Sequence, residues 1–287
     1  MPLFTTKQLT EKTLNSTSNF SIPAFNVHNM EYTKAVIAAA EKENSPVILM
    51  LGEPIFHFAD LDTIANIALF AAKNAKVPVA ILLDHGKIPA NIERCIELGI
   101  SIMIDGSYLP FDENIAFTKK YVDMAHAKGL SAEGELGALS GSEDGEEERE
   151  QKMTNPEMAK IFVEATGIDM LAVSIGNAHG EYKFPPVLDY DRLKKIQEVV
   201  DVPIVMHGGS DLPADSVEYL VQNGIAKFNI GTDLKIAFST TLRDILLKNP
   251  IPYQPFDSLL YAMNAVEEVT RSKIKTFHSN GKASLFE

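Results

Sequence analysis

One pattern recurs eight times along the chain and limits what it can become: a short β-branched apolar run, then a longer stretch with helical periodicity. The apolar runs cover 22–26, 47–51, 78–83, 101–105, 130–135, 169–174, 203–207 and 225–230. Helical patterns fill 30–43, 61–75, 111–128 and 189–200, and cap-type residues such as Asp112 and the pair Asn155–Pro156 stand at their starts. Continuous apolar strands separated by helices imply a parallel sheet covered on both faces. Eight such units over about 230 residues fit a closed (β/α)8 TIM barrel better than a doubly wound sheet. No Pro- or Ser-rich linker divides the 287 residues, so the expectation is a single domain over 1–287. Residues 1–18 read as an extra N-terminal helix closing the barrel floor. The tail from 250 carries a helical extension over 257–277, packed on the barrel or on a second subunit.

Composition removes several function classes. With 39 acidic against 26 basic residues the formal charge is −13, which argues against binding nucleic acid or an anionic membrane. It leaves room for a phosphorylated small substrate, because backbone N–H groups and one or two cations can hold phosphate locally. No apolar run has the length of a membrane span, and the opening MPLFTTKQLTEKT lacks the pattern of a secretory signal. The single cysteine, Cys95, cannot form an internal disulfide, so a cytoplasmic location is expected.

A barrel gathers functional groups at the C-terminal ends of its strands. Polar residues stand there in turn: Asn26, the pair Asp84–His85 of ILLDHG, Asp105, Glu135, His207 and Asn229, with His179 a few residues past the sixth strand. Of seven histidines, His28, His57, His126 and His278 lack a second ligand-type group at suggestive spacing. His85, His179 and His207 are each followed by glycine (DHG, AHG, HGG), which lets the backbone approach a ligand closely. Three neutral imidazoles with an open fourth position make up a catalytic zinc centre. The turns HGGS (207–210) and NIGTD (229–233) follow the last two strands, where barrels often hold a phosphate. Lys183 would add a cation there, or is a solvated loop lysine. The glycine-bracketed segment GALSGSEDG (137–145) reads either as a lid carrying Glu143 or as a solvated charge run.

Assembled in order, these residues resemble the class II, metal-dependent ketose-bisphosphate aldolases, in the branch holding tagatose-bisphosphate and many bacterial fructose-bisphosphate enzymes. The matching segments are PAFNVHN (23–29), LDHG (83–86), MIDGS (103–107), EGELG (133–137), GSEDG (141–145), IGNAHGEYK (175–183), HGGSD (207–211) and KFNIGTDLK (227–235). The resemblance implies a homodimer or homotetramer with one Zn²⁺ per subunit and a monovalent cation, Na⁺ or K⁺, as a further candidate. Carried over by position, it makes His85, His179 and His207 the zinc ligands, with Asp105 and Glu135 as supporting or alternative ones. Asp84 would be the general acid/base at the cleaved bond, and Glu143 would move the proton on the dihydroxyacetone phosphate fragment. Asn26, Gly180, Lys183, Gly208, Gly209, Ser210, Asn229, Ile230, Gly231, Thr232 and Asp233 match the positions that bind substrate and phosphate.

The implied reaction is reversible cleavage of fructose or tagatose 1,6-bisphosphate to dihydroxyacetone phosphate and glyceraldehyde 3-phosphate through a zinc-stabilised enediolate. Two readings remain beside it: cleavage of a different ketose 1-phosphate on the same fold, and a non-catalytic partner subunit. A Schiff-base enzyme would make Lys227, within the eighth strand, the first suspect. The chain departs from relatives at Leu82, often histidine, at Gly52, often serine near the aldehyde half, at Gly134, commonly alanine, and at Asp211, usually glycine. Arg271 and Arg243 are the candidates for a distal phosphate.

Overall fold

The computed structural model describes residues 3–16, 18–139, 152–182, 184–248 and 254–286. Eight parallel strands, β1 (Ile22–Asn26), β2 (Val47–Gly52), β3 (Val79–Gly86), β4 (Ser101–Ile104), β5 (Ala132–Leu136), β6 (Met170–Val173), β7 (Ile204–Met206) and β8 (Ile225–Ile230), close into a barrel in chain order, with β8 paired to β1. Helix α1 (Thr6–Leu14) precedes the barrel. Around it run α2 (Met30–Glu43), the one-turn α3 (Phe56–Ala59), α4 (Leu61–Asn74), α5 (Pro89–Glu97), α6 (Phe111–His126), α7 (Pro156–Thr166), α8 (Tyr190–Gln197), α9 (Ala214–Gln222) and α10 (Thr232–Lys248). Helix α11 (Pro255–Thr276) comes last. This is the expected (β/α)8 TIM barrel. Among the described residues no single helix is long and apolar enough to cross a membrane.

Local chemistry explains most boundaries. Asn29, Asp60, Asn155 and Asp189 each accept a backbone N–H from the first turn of the helix they precede. Pro156 opens α7, and Gly167 in a left-handed conformation ends it. Asp112 is not a cap as expected: Pro110 holds that position, and Asp112 sits inside the first turn of α6, where its charge opposes the positive helix end. The N-terminal helix is shorter than 1–18 because a capping box between Thr5 and Gln8 starts it and Asn15 closes it.

Alternation along each strand divides the apolar residues into two layers. Phe25, Leu49, Leu51, Ile81, Leu83, Ile102 and Phe228 face the helices in the large core. Ile22, Ala24, Ile48, Met50, Ala80, Leu82 and Met103 face inward and pack with Leu9 of α1. Leu82, where relatives often carry histidine, therefore fills the barrel interior. Helix α1 plugs the floor: Phe4 N donates to Val79 O (3.0 Å), Thr6 Oγ1 lies 2.6 Å from Ser131 Oγ, and Lys7 Nζ reaches Asp169 Oδ1 at 2.9 Å.

The C-terminal helix packs on the chain's own α2 and α10, burying Ala262, Val266 and Ile274. Polar contacts fix it there: Arg271 Nε (2.7 Å) and Lys275 Nζ (3.3 Å) reach Glu43 Oε1, and Lys42 pairs with Glu267. Partial burial alone would raise the Glu43 carboxyl, but Arg271 and Lys275 outweigh it and hold the group below the usual glutamate value. A depressed folded pKa contributes stability that is present above the unfolded value and lost as pH falls through the folded one. Glu43→Gln should therefore lower the urea midpoint at neutral pH, and the deficit should close as the pH falls below about 4. A deficit independent of pH would show that the charge is not what holds α11.

Candidate functional site

Inward-facing alternate positions carry polar groups toward the barrel mouth. Asn26 ends β1, Glu133 and Glu135 lie on β5, and Lys227 and Asn229 lie on β8; Asp105 and His207 directly follow β4 and β7. On β3 the alternation that turns Ala80, Leu82 and Asp84 inward would send His85 out among the helices. His85 instead adopts φ +48°, and the β3–β4 register shifts between Leu83 and Gly86. That bulge turns two consecutive side chains to the same mouth, at a backbone cost of about 1–3 kcal/mol. The strand continues through the polar residues, since Gly52 still pairs with Asp84 and Gly86 with Ile104.

Three imidazoles meet there. His85 Nδ1 lies 3.0 Å from Asp105 Oδ2, and His207 Nε2 lies 2.9 Å from Glu133 Oε1. Each carboxylate is placed to accept a ring N–H, which leaves His85 Nε2 and His207 Nδ1 facing each other 3.1 Å apart. The His179 ring stands edge-on to His85 with centroids 5.2 Å apart, and one nitrogen from each ring falls within 4.8 Å of the others. Zn–N bonds of the usual length put tetrahedral ligand nitrogens about 3.3 Å apart, so the inward pair fits a zinc ion. Carboxylates locking the far ring nitrogens are the ordinary support of such a centre. Asp105 and Glu135 form a second ligand group with His85. Glu135 Oε2 is 3.7 Å from both His85 Nδ1 and His207 Nδ1.

The electrostatics agree with a cation. Burial alone would lower the His85 pKa, yet Asp84, Asp105 and Glu135 together raise it well above the ordinary value. A field that favours a proton there favours a metal ion equally. Burial, with help from the other two rings, pushes His179 well down, and burial also lowers His207; neutral imidazole is the ligand form. Burial would raise Asp105 and Glu133. The His85 hydrogen bond and charge hold Asp105 well below the carboxylate range, and Lys227 with His207 holds Glu133 at about 2.

Asp84, 2% exposed, accepts Asn26 Nδ2 at 2.8 Å and Asn229 Nδ2 at 3.2 Å. Two amides from the adjacent strands β1 and β8 aim its carboxylate. Asn26 Oδ1 is a buried acceptor without a hydrogen-bond partner among the described residues.

The two glycine turns lie side by side: Gly209 N donates to Asn229 O (3.0 Å), and Asp233 N donates to Ser210 Oγ (3.3 Å). Ile230 closes β8, Gly231 follows it, and Thr232 opens α10, so helix-terminal amides face the turn. The Asp233 carboxylate is drawn away to Lys273 (2.6 Å). Gly208, at φ +65°, presses so closely on the His179 loop that a Cβ would lie 1.9 Å from Ala178 O. Asn177 Nδ2 donates to His207 O (3.0 Å), and Tyr182 Oη accepts from Ala178 N (3.0 Å) and donates to Gly208 O (3.1 Å). Gly180, at φ +86°, sits in the same loop. Asp211, at φ +56°, accepts the Tyr182 N–H at 3.3 Å.

Other expectations fall elsewhere. Glu143, residues 140–145 of the anticipated lid, and Lys183 lie outside the described residues. Arg271 is bound to Glu43 at the end of α2 remote from the mouth, and Arg243 pairs with Asp244. His126 bonds Asp169 at the floor, His278 pairs with Glu218, His57 is exposed on α3, and His28 packs edge-on to Tyr32. Sequence reasoning overlooked Glu133, Asn177, Tyr182 and Lys87, whose Nζ lies 3.3 Å from Asp105 Oδ2. A signal existed for Glu133, two residues before Glu135 and so on the same strand face.

Comparisons with known proteins follow this geometry. The family described as fructose-bisphosphate aldolase class-II matches residues 5–282. The crystal structure of the YdjI aldolase from Escherichia coli K12 is similar at 32% identity and TM-score 0.86, covering 98% of this chain and 100% of that one. A Coccidioides immitis protein assigned as a fructose-1,6-biphosphate aldolase is 31% identical at TM-score 0.88, with 98% of both chains covered. The fructose-bisphosphate aldolase of Campylobacter jejuni is 25% identical at TM-score 0.79, covering 98% of this chain and 97% of its own.

The contact between Gly208 and Ala178 gives a direct test of the loop packing. Gly208→Ala should cost about 2–4 kcal/mol in urea unfolding, through steric overlap and backbone strain. It should also reduce zinc uptake measured by metal analysis, because either His179 or His207 must shift. Wild-type stability together with full zinc uptake would show that the two loops yield freely.

Proposed function

The chain belongs to the class II fructose-bisphosphate aldolase family, and on that premise we propose that it reversibly cleaves a ketose 1,6-bisphosphate, fructose or tagatose, to dihydroxyacetone phosphate and glyceraldehyde 3-phosphate. The observation that carries this reading is the pair of carboxylate-locked imidazoles with facing nitrogens at 3.1 Å, set beside a carboxylate held by two amides. His85, His179 and His207 would hold Zn²⁺, with Asp105 and Glu135 as neighbouring carboxylates. Zinc, when bound, would polarise the ketose carbonyl and stabilise negative charge developing on its oxygen.

The chain's own residues do the rest. Asp84 takes the proton from the C4 hydroxyl as the C3–C4 bond breaks and returns it in the condensation direction. Its carboxylate stays aimed because Asn26 and Asn229 occupy its other lone pairs. Glu143 exchanges the proton on the three-carbon fragment. Gly208, Gly209, Ser210, Gly231, Thr232 and Asp233, with Gly180 and Lys183, surround that fragment and its phosphate at a helix N-terminus, where the amides not engaged elsewhere donate to it. A monovalent cation, Na⁺ or K⁺, beside that phosphate would add to its charge neutralisation.

A second reading, a ketose 1-phosphate with a different aldehyde half, has its own support. Each of the four described arginines is already held by a carboxylate: Arg94 by Asp62, Arg192 by Asp189, Arg243 by Asp244 and Arg271 by Glu43. Comparing kcat/KM for fructose and tagatose 1,6-bisphosphate with that for aldehyde-varied ketose 1-phosphates decides between the two. We also infer a homodimer or homotetramer from the exposed Leu246, Leu247, Phe256, Leu260 and Tyr261 of α10 and α11. Sedimentation equilibrium should give two or four times the chain mass, and a monomer at micromolar concentration would remove the inference.

Exhaustive chelation should abolish cleavage, and Zn²⁺ should restore it. Asp84→Ala should retain zinc while kcat falls by about 10²–10⁴-fold. Cleavage that survives metal removal and is trapped on a lysine by borohydride would move the protein to Schiff-base chemistry.

A further inference from the structure

Lys227 is wholly buried at the middle of the barrel, on the same inward face of β8 as Asn229. Its ammonium has three donors and no acceptor. It lies 2.9 Å from Glu133 Oε2, 3.2 Å from Glu133 Oε1 and 2.7 Å from Asn229 Oδ1. These partners lead in two directions. Glu133 Oε1 accepts His207 Nε2–H, and the other end of the Asn229 amide donates to Asp84 Oδ1.

The pairing leaves each partner one workable orientation. A cation can face only the amide oxygen of Asn229, so the NH₂ group must turn to Asp84. Flipping the amide would set NH₂ against the ammonium and oxygen against the carboxylate, which is repulsive at both ends. Glu133, anchored through both oxygens, can only accept from His207, which puts that ring's proton on Nε2 and its lone pair on Nδ1. Stability does not account for the ammonium. A buried ion pair is on average no better than a well-packed apolar pair, and the flanking inward residues Ile22, Met170 and Val205 are apolar.

We propose that Lys227 is a positioning residue that sets the tautomer of His207 and the amide orientation of Asn229 together, coupling a metal ligand to the group that aims Asp84. The proposal rests on the aldolase reading of the site for its functional consequence, but its structural content does not require turnover. Lys227→Met alone leaves the Glu133 carboxylate buried with one partner fewer and should unfold more easily. The double variant Lys227→Met/Glu133→Gln removes both charges and should keep the fold.

In the double variant, zinc affinity measured by chelator competition should fall about 10–100-fold, as for other groups that orient a ligand. kcat should drop while KM holds, because the phosphate turns are untouched. In the zinc-free protein, ¹⁵N resonances of His207 should report a single Nε2–H tautomer in wild type and a mixture in the double variant. Wild-type zinc affinity together with an unmixed tautomer in the double variant would overturn the proposal. A wild-type protein that neither binds zinc nor cleaves a ketose phosphate would sink the aldolase reading instead, and the tautomer comparison would still decide the role of Lys227.

Discussion

A closed parallel barrel gives every strand's inward face to one shared, water-poor interior, and any polar group placed there needs its partner inside the same ring. The rest of the site depends on that constraint. The lower inward positions of β1 to β4, with Leu9 beneath them, need nothing but volume. The half from β5 to β8 carries Glu133, His207, Lys227 and Asn229, and these satisfy one another across strands. The chain of contacts runs from the His85–His207 pair through Glu133 and Lys227 to Asn229, Asp84 and Asn26. The candidate metal ligands and the proposed base are therefore parts of one hydrogen-bonded system.

Strain and close approach gather at the mouth. His85 departs from strand geometry so that it can stand beside Asp84 rather than behind it. Gly208 admits the backbone of the His179 loop into space that a side chain would fill, and Tyr182 and Asn177 tie that contact with hydrogen bonds. At the floor, Asn44 (φ +48°) and His278 (φ +56°) also take left-handed backbone, where α2 and α11 end. There α1 is held by ordinary packing and by pairs such as Lys7 with Asp169. This is the division expected when one end of a barrel serves stability and the other chemistry.

Much of this was legible in the residues, for physical reasons. Strand and helix periods differ, so the eight-fold alternation and most helix starts could be read directly. Of the glycines after His85, His179 and His207, Gly208 marks a close backbone approach, to the Ala178 carbonyl. What escaped depended on partners distant in sequence. Glu133 and Lys227 look like isolated charges inside apolar strands until closure brings them to 2.9 Å across 94 residues. The polar run Asp84–His85–Gly86 looks like a strand end, yet pairing with β2 and β4 carries β3 through it. Arg271 and Arg243 were chosen by charge alone, and helix direction takes the first to the side remote from the mouth.

The departures from relatives can be sorted by where they fall in this frame. Leu82 is inside the barrel, one inward position below Asp84, where it supplies packing volume among apolar neighbours. Asp211 is different in kind. It holds a left-handed conformation without being glycine, and its carboxylate accepts the Tyr182 N–H. It therefore ties the loop bearing His179 to the turn bearing Gly208 and Ser210, and it sets a negative charge beside the turns that would receive phosphate. The end proposed to hold the three-carbon fragment thus carries an extra fastening, while every described arginine is engaged elsewhere. Variation in what this barrel accepts is accordingly expected at the aldehyde end, not at the end proposed to grip the shared phosphate.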